Sequence, residues 1–132
     1  MSSHCAQGDV FWYRPDGANE VEHRVVICSD PHLAPDSVVA IPFTTWEEHK
    51  DDSCFVTPLD YQELPHDSCI DYRHAEIFNA ADLDAALAAK RIRQCPAVST
   101  DLLEKILDGA RETRFLNSRC LNILTAQGLL DA

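Results

Sequence analysis

A few side chains in this sequence combine the residue types needed to hold an anion and to move a proton. Arg24 carries a planar guanidinium fork that meets two phosphate oxygens at once and stays charged at physiological pH. His23 and His74 are candidate proton carriers, because free imidazole titrates near neutrality. Asp71 and Arg73 alternate along a predicted strand, so both project from one face. These types predict acid–base chemistry on an anion, with a same-face ion pair and ordinary surface histidines as the alternative.

Cysteine and histidine also form a second pattern, which has the ligand types of a zinc site. The sequence contains six cysteines but no C-x-x-C pair, so we expect reduced thiols, several of them buried, rather than disulfides. The spacing of the candidate ligands does not match a common zinc finger. We therefore predict no metal and no other cofactor, and a structural zinc ion remains the alternative for Cys54, His66, Cys69 and His74.

The charge distribution divides the chain into an acidic half and a balanced half. Lys and Arg number 11 against 22 Asp and Glu, which gives a net charge of −11. Between residues 15 and 72, Arg24 and Lys50 face thirteen carboxylates, whereas residues 73–132 hold eight charges of each sign. Nucleic-acid-binding proteins usually carry a basic surface. The balance therefore counts against a nucleic-acid enzyme and favours a module that binds a protein through an acidic surface.

Apolar and β-branched runs predict at least five short strands in the first 78 residues, which is the pattern of a small barrel. Connections rich in Pro, Gly and Asp separate the first three strands, at residues 14–22 and 30–36. The predicted strands cover residues 10–13, 25–28, 37–43, 53–59 and 68–78.

The pattern changes to helical spacing at Asn79, whose side chain is suited to cap a helix. Ser99 or Thr100 caps a second predicted helix with an apolar stripe, and residues 115–130 form a helical tail. We predict one α+β domain over residues 1–132. It consists of a barrel at 8–78, a helical insertion at 79–93, and a last strand with C-terminal helices at 94–130.

Length and hydropathy place the chain among ordinary globular domains. At 132 residues it is long enough to bury about two-thirds of its unfolded surface. Its longest apolar stretches are far too short to span a bilayer. The first residues lack the basic region and the apolar core of a secretory signal. We therefore expect a cytoplasmic protein.

Several short motifs occur together in the order and spacing of one protein family. The motifs are Gly8-Asp9-Val10 followed by Trp12, His23-Arg24-Val25-Val26-Ile27, Val39-Ala40-Ile41-Pro42-Phe43-Thr44-Thr45, Asp67-Ser68-Cys69-Ile70-Asp71-Tyr72-Arg73, and Pro96-Ala97-Val98-Ser99 before a helix that bears Leu103. With these motifs, the sequence resembles the MazF/PemK-type toxins of bacterial toxin–antitoxin pairs over about residues 8–115.

The resemblance implies a small SH3-like β-barrel with C-terminal helices, and a metal-independent endoribonuclease that cleaves single-stranded RNA. It also implies a homodimer and a cognate antitoxin protein as partner. The alternative is a catalytically degenerate barrel that binds a protein through its acidic surface. The catalytic positions implied are Arg24, Thr44, Asp71 and Arg73, and the predicted substrate-binding residues are His23, Thr45, Tyr72 and His74.

The two alternatives predict different surroundings for the arginines. Cleavage of RNA without a metal requires the 2′-hydroxyl to lose a proton, the leaving oxygen to gain one, and the phosphate charge to be stabilised. Convergence of Arg24, Arg73 and Thr44 in one groove favours the enzyme. A groove filled by the carboxylates of residues 47–52, or by the helix of the 79–93 insertion, favours the binding module.

Overall fold

Seven antiparallel strands and three α-helices form the described part of the chain, which a computed structural model gives for residues 5–14, 22–33 and 37–130. Parts of both predicted connections, residues 15–21 and 34–36, lie outside those ranges. In chain order the elements are β1 (Val10–Tyr13), β2 (His23–Ile27), β3 (Ser37–Thr45), β4 (Phe55–Val56), β5 (Ser68–Ile70), a 3₁₀ helix (Tyr72–His74), β6 (Glu76–Asn79), α1 (Ala80–Ala88), β7 (Gln94–Cys95), α2 (Thr100–Glu112) and α3 (Ser118–Ala126).

Strand β3 lies at the centre of the sheet because it is long enough to pair with three neighbours. The strands follow the order β4–β5–β3–β2–β1–β7, and β6 pairs with β3 as well. One edge of β3 contacts β2, where Val25 lies opposite Pro42. The other edge contacts β5 at Thr44 and β6 at Val38. The 3₁₀ helix between β5 and β6 therefore lies beside the middle of β3, and the Asp71 amide donates to the Pro42 carbonyl at 2.8 Å.

Both faces of the sheet are covered, which explains why its strands carry apolar residues in succession. Side chains alternate between the two faces along each strand. Val26 and Ile41 belong to a core that Ile106 of α2 completes. Val25 belongs to a second core on the opposite face, together with Leu83 of α1. The strand runs are thus apolar on both faces because helices cover both.

Each helix begins at a polar side chain that caps its first turn. Asn79 and Ser99 accept hydrogen bonds from amides three residues further on, both at 3.1 Å, as their position in the sequence predicts. Asn117 does the same for α3 at 2.9 Å, within the predicted helical tail. The apolar stripe of α2 buries Leu102, Ile106 and other residues of the same face against the first core.

The predicted strand over residues 68–78 is wrong as a continuous element. β5 ends at Ile70, and the 3₁₀ helix at residues 72–74 separates it from β6. Asp71 and Arg73 therefore do not share one face of a strand. The cause is Tyr72, whose ring is fully buried and whose hydroxyl donates to the Ile106 carbonyl of α2 at 2.6 Å. A turn also fits the register, because only residues 41–42 of β3 lie between the pairs Phe43–Ile70 and Ala40–Glu76, whereas the other segment has the five residues 71–75 there.

The predicted α+β class, with strands first and helices after them, is confirmed. The predicted strand at 53–59 is shorter than expected, since β4 comprises only Phe55–Val56. Among the described residues, none of the helices has the length and the apolar character of a membrane span.

Candidate active site

Three adjoining clefts surround the end of β3 and the 3₁₀ helix. The wide cleft, which Lys50 and Phe115 line, has a volume of about 770 Å³. The Tyr13 cleft, which Tyr13 and Glu76 line, has a volume of about 470 Å³. The Trp12 cleft, which Trp12 and Arg24 line, has a volume of about 260 Å³. Thr44 lines both the wide cleft and the Trp12 cleft, and His23 lines both the Trp12 cleft and the Tyr13 cleft. The residues shared by the wide cleft and the Tyr13 cleft are Asp71, Arg73 and His74.

The hydroxyl of Thr44 is held by a lysine from the loop that follows β3. Lys50 Nζ donates to Thr44 Oγ1 at 3.1 Å and to the Thr45 carbonyl at 2.8 Å, and it pairs with Glu47 at 3.3 Å. An ammonium group has three donors and no acceptor. Thr44 Oγ1 therefore acts as the acceptor towards Lys50, and its own proton is available for another partner.

A carboxylate–imidazole pair lies at the start of the 3₁₀ helix. His74 Nδ1 is 2.7 Å from Asp71 Oδ2, and the His74 side chain is largely exposed. The spacing of three residues around this turn brings the two side chains together. The carboxylate fixes the orientation of the ring, so that Nε2 is the nitrogen that faces outward for proton exchange.

Arg73 follows the same turn and rests on an aromatic ring from the segment between α2 and α3. Its Cζ is 4.3 Å from the Phe115 ring centroid. No carboxylate of the described residues lies within ion-pair distance of Arg73, although Asp51 is near enough to feel its charge. Stacking on the ring orients the guanidinium while its hydrogen-bond donors remain available to a ligand.

Arg24 rests on a different ring. It lies opposite Trp12 in the register of β1 and β2, and its Cζ is 4.3 Å from the Trp12 ring centroid. Arg93 lies over the same ring at 5.1 Å and pairs with Glu22 at 3.2 Å. Arg24 Nε is buried and has no hydrogen-bond partner among the described residues. Trp12 is half-buried at a cleft wall and serves as a platform for cations.

Seven of the eight predicted site residues line these clefts, but the two arginines do not meet. Arg24 lines only the Trp12 cleft, whereas Arg73 lines the other two clefts. Thr44 shares one cleft with each arginine. The expected single groove with both guanidinium groups is therefore absent from the described part of the chain. The remaining predicted residues on the cleft walls are His23, Thr45, Asp71 and His74.

Tyr72, which the sequence predicted to bind substrate, lies in the protein core instead. Its side chain is fully buried in the first core, and its hydroxyl is bonded to the Ile106 carbonyl. The ring is therefore not available to stack on a nucleobase. Gly109 makes this packing feasible, because a Cβ at that position would meet the Tyr72 hydroxyl and would lie 2.8 Å from the Ser53 carbonyl.

Carboxylates contribute to the wide cleft, but the insertion helix does not fill any of the three clefts. Three cations and four carboxylates line the wide cleft, namely Lys50, Arg73 and Arg114 with Asp51, Asp52, Asp71 and Glu112. The helix α1 packs on the second core through Leu83 and Leu87. No described residue of α1 lines any of these three clefts.

Asp51 is a structural link in the wall of the wide cleft. It accepts hydrogen bonds from the Ser53 hydroxyl and from the Thr113 hydroxyl, both at 2.6 Å. Burial alone would raise the pKa of Asp51, but these hydrogen bonds and the charge of Arg73 together hold it below the usual value. The carboxylate thus stays ionised and joins the loop before β4 to the end of α2.

The cysteines of the zinc pattern lie inside the protein as free thiols. Cys54 and Cys69 are buried, and burial raises the pKa of each thiol to about 11. All six cysteines are unpaired, as predicted. No three His, Cys, Asp or Glu side chains converge as a metal-binding group among the residues described.

The sequence did not identify two residues of the site, Lys50 and Phe115. Lys50 could have been identified, since it is one of two basic residues between positions 15 and 72. Phe115 could not, because its contact with Arg73 joins residues from separate elements. The position of Trp12 opposite Arg24 follows from the pairing of the first two strands.

Comparison with known proteins gives a likeness of fold. No protein-family model matches the sequence, and no curated protein sequence matches it. A chain of the MazE–MazF crystal structure (form III) from Deinococcus radiodurans is similar with a TM-score of 0.53 and 14% sequence identity. The similarity covers 79% of this chain and 90% of that chain. The chain therefore has a MazF-like fold.

Proposed function

We propose that this protein is a metal-independent endoribonuclease that cleaves single-stranded RNA. The observation that carries the proposal is the hydrogen-bonded Asp71–His74 pair, which lies beside Arg73 in a cleft that also contains Thr44. These four side chains supply an oriented imidazole, a guanidinium that forms no ion pair with the described residues, and a hydroxyl donor. That set meets the chemical needs of phosphodiester cleavage by a neighbouring 2′-hydroxyl.

The chemistry requires two proton transfers and one charge stabilisation. The 2′-oxygen attacks phosphorus as its proton leaves to an imidazole, the P–O5′ bond breaks, and the O5′ oxygen takes a proton from a second group. The products are a 2′,3′-cyclic phosphate and a 5′-hydroxyl. His74, oriented by Asp71, is suited to one transfer, and His23 is suited to the other because both histidines line the Tyr13 cleft.

Arg73 and Thr44 are suited to hold the reacting phosphate. The guanidinium on Phe115 presents a planar set of donors to the equatorial oxygens, which gain negative charge in the transition state. The Thr44 hydroxyl adds a further donor, because Lys50 occupies its acceptor side. Thr45 lies on the wall of the Trp12 cleft and would contact the RNA beyond the reacting bond.

The partners follow from the resemblance to MazF/PemK toxins and from the MazF-like fold. The structural neighbour contains MazE together with MazF. By analogy, the protein would be the toxin of a toxin–antitoxin pair, would bind a cognate antitoxin protein and would form a homodimer in the cytoplasm. An acidic toxin surface would favour a basic segment in that antitoxin.

The second candidate is a non-catalytic module that binds a protein. It is favoured by the lack, among the described residues, of one groove that holds both Arg24 and Arg73. The four carboxylates that line the wide cleft favour it as well, because they oppose the approach of an RNA backbone. A module of this kind would bind a basic protein segment and would leave RNA intact.

Cleavage of a mixed single-stranded RNA tests the proposal. The purified protein is incubated with the RNA in excess EDTA, beside the variants His74→Ala and Arg73→Ala. We expect the parent to cleave and each variant to lose about 100-fold or more in rate, since a positioned acid–base group contributes about 10²–10⁴-fold.

Two substitutions outside the clefts serve as controls. His32→Ala and Arg119→Ala change exposed residues of the same types that line none of the three clefts, and they should cleave like the parent. A parent without activity, or a His74→Ala variant with the parent's rate, would leave the protein-binding module as the better candidate.

A further inference from the structure

The Tyr13 cleft lies at one end of the second core, where the sheet curls enough for β1 and β6 to meet. In the order of the sheet, β2 and β3 separate these two strands. Even so, the ring centroids of Tyr13 and Phe78 are 5.1 Å apart, and the rings meet edge to face. The Tyr13 hydroxyl also donates a hydrogen bond to the Glu76 carboxylate. These contacts across the curled sheet hold Glu76 at the cleft wall.

Apolar and aromatic side chains form much of the wall of this cleft. Val25 lies opposite Pro42 in the sheet register, Ala75 precedes β6, and the Tyr13 ring completes this part of the wall. The cleft volume of about 470 Å³ falls within the range of small-molecule pockets, which is about 300–1,000 Å³. Single-stranded RNA presents unstacked bases that such walls can contact. The cleft therefore suits a planar ring such as a nucleobase.

The charges of the cleft favour a neutral ligand group that donates hydrogen bonds. Two carboxylates, Asp71 and Glu76, line it with one cation, Arg73. Asp71 already holds His74, whereas Glu76 forms no ion pair with any described residue. Partial burial raises the pKa of Glu76, and the hydrogen bond from Tyr13 opposes that rise. Because further donors would stabilise the ionised form, Glu76 favours N–H groups and disfavours a phosphate.

Guanine is the nucleobase that best meets the hydrogen-bonding needs of a carboxylate. An ionised carboxylate only accepts hydrogen bonds, and its two oxygens offer about four sites, of which Tyr13 occupies one. Guanine presents a ring N–H and an amino group side by side, so both can donate to the two oxygens. Adenine and cytosine present an amino group beside a ring acceptor, and uracil presents one N–H between two carbonyl oxygens, which a carboxylate repels.

We propose that the Tyr13 cleft is a guanine-binding pocket for one of the two nucleosides that the reacting phosphate joins, and that Glu76 determines this specificity. The inference rests on the proposed function, which supplies the RNA. His23 and His74, the proton carriers of the proposed reaction, also line this cleft, so a base within it lies next to the reacting bond. Tyr13 is a positioning residue, because its hydroxyl holds the Glu76 carboxylate.

Cleavage of oligonucleotides with a single cleavable bond tests the pocket. Each substrate is a DNA strand with one ribonucleotide, so only one 2′-hydroxyl can attack. One series varies the base of the ribonucleotide and the other varies the base that follows it, among guanine, hypoxanthine, adenine, cytosine and uracil. Hypoxanthine lacks only the amino group of guanine. In one series, we expect kcat/KM for guanine to exceed the values for hypoxanthine and adenine by about tenfold or more.

Three substitutions change the specificity to different extents. Glu76→Gln introduces an amide, which can form a bidentate pair with adenine, so the ratio of kcat/KM for guanine to that for adenine should fall about tenfold or more. A purely structural role of Glu76 would not change this ratio. Tyr13→Phe keeps the ring against Phe78 and removes the hydroxyl, so the ratio should fall about threefold. Glu104→Gln, the same change at an exposed position of α2 outside the three clefts, should keep the parent's ratio.

A binding measurement tests the pocket without cleavage. Guanosine and inosine 5′-monophosphates carry the same phosphate and differ by the amino group alone, and their binding is measured by NMR titration. The parent should bind the guanosine nucleotide about tenfold more tightly, and Glu76→Gln should bind both nucleotides equally.

Equal kcat/KM for guanine and hypoxanthine in both series would overturn the proposal, and so would a guanine preference that Glu76→Gln retains. If the parent cleaves no RNA, the proposed function fails, but the titration still decides the question of the pocket. Tighter binding of the guanosine nucleotide that is lost in Glu76→Gln would then support a guanine site in a protein that is not a nuclease. Equal binding of the two nucleotides by the parent would overturn the proposal in that case as well.

Discussion

The two arginines of the candidate site are held in similar ways by different parts of the fold. Each guanidinium lies 4.3 Å from the centroid of an aromatic ring and pairs with no described carboxylate. Arg24 and its ring belong to neighbouring strands, β2 and β1. Arg73 belongs to the 3₁₀ helix, and its ring, Phe115, follows α2. One cation is therefore fixed by sheet register and the other by the docking of a helix.

Because of this difference, the Trp12 cleft and the wide cleft depend on different parts of the molecule. The Trp12 cleft depends on hydrogen bonds between strands, which hold Arg24 opposite Trp12. The wide cleft depends on α2, because Tyr72 ties the 3₁₀ helix to the Ile106 carbonyl and Thr113 ties the end of α2 to Asp51. Loosening α2 should disturb Arg73 and His74 and leave Arg24 in place. Three substitutions test that expectation.

The largest effect is expected from Gly109→Ala in α2. The added methyl would meet the Tyr72 hydroxyl and would lie 2.8 Å from the Ser53 carbonyl, so the turn or the helix must shift. We expect the free energy of unfolding to fall by about 2–3 kcal/mol, despite the better helix propensity of alanine. Urea denaturation at pH 7 measures the loss.

Glu104→Ala, at an exposed position of the same helix, is the matched control and should change stability by less than about 0.5 kcal/mol. RNA cleavage by folded Gly109→Ala should decrease. Binding of a fluorescent single-stranded DNA oligonucleotide, measured by anisotropy, should be retained, because Arg24 and Thr45 of the Trp12 cleft stay in place. Equal losses of both would mean that the two clefts do not depend on different parts of the fold.

A smaller effect is expected from Tyr72→Phe. The change removes the buried hydrogen bond of 2.6 Å to the Ile106 carbonyl and keeps the ring, which should cost about 1–1.5 kcal/mol in urea denaturation. The same change removes the atom nearest to the methyl of Gly109→Ala. The double variant should therefore lose less stability than the sum of the two single variants. Strict additivity would show that the methyl group meets the Ser53 carbonyl rather than the tyrosine.

The same difference explains how far the sequence could predict the fold and the site. Apolar runs and caps such as Asn79 and Ser99 predicted the strand-then-helix order, because these signals are local. The pairing of Trp12 with Arg24 is also nearly local, since it joins consecutive strands. The break in the strand at Tyr72 was not predictable, because the alternating pattern of residues 68–78 is that of a strand. The contact that holds this turn in place, the hydrogen bond from Tyr72 to Ile106, spans 34 residues.

The smallest effect is expected from Thr113→Val, and it should depend on pH. The Thr113 hydroxyl donates to Asp51 at 2.6 Å and accepts from the Phe115 amide at 3.1 Å, so it connects the wall of the wide cleft with the ring beneath Arg73.

The pKa of Asp51 lies below its usual value in the folded protein. A lowered folded pKa stabilises the protein above the unfolded pKa, which is about 4, and this contribution is lost as pH falls through the folded pKa. Thr113→Val should therefore cost about 1 kcal/mol at pH 7 and less at an acidic pH well below the unfolded pKa of about 4, whereas Thr113→Ser retains the hydroxyl and should match the parent at both. Urea denaturation at the two pH values measures the difference, and a cost that is the same at both would show that the hydroxyl does not stabilise the ionised carboxylate.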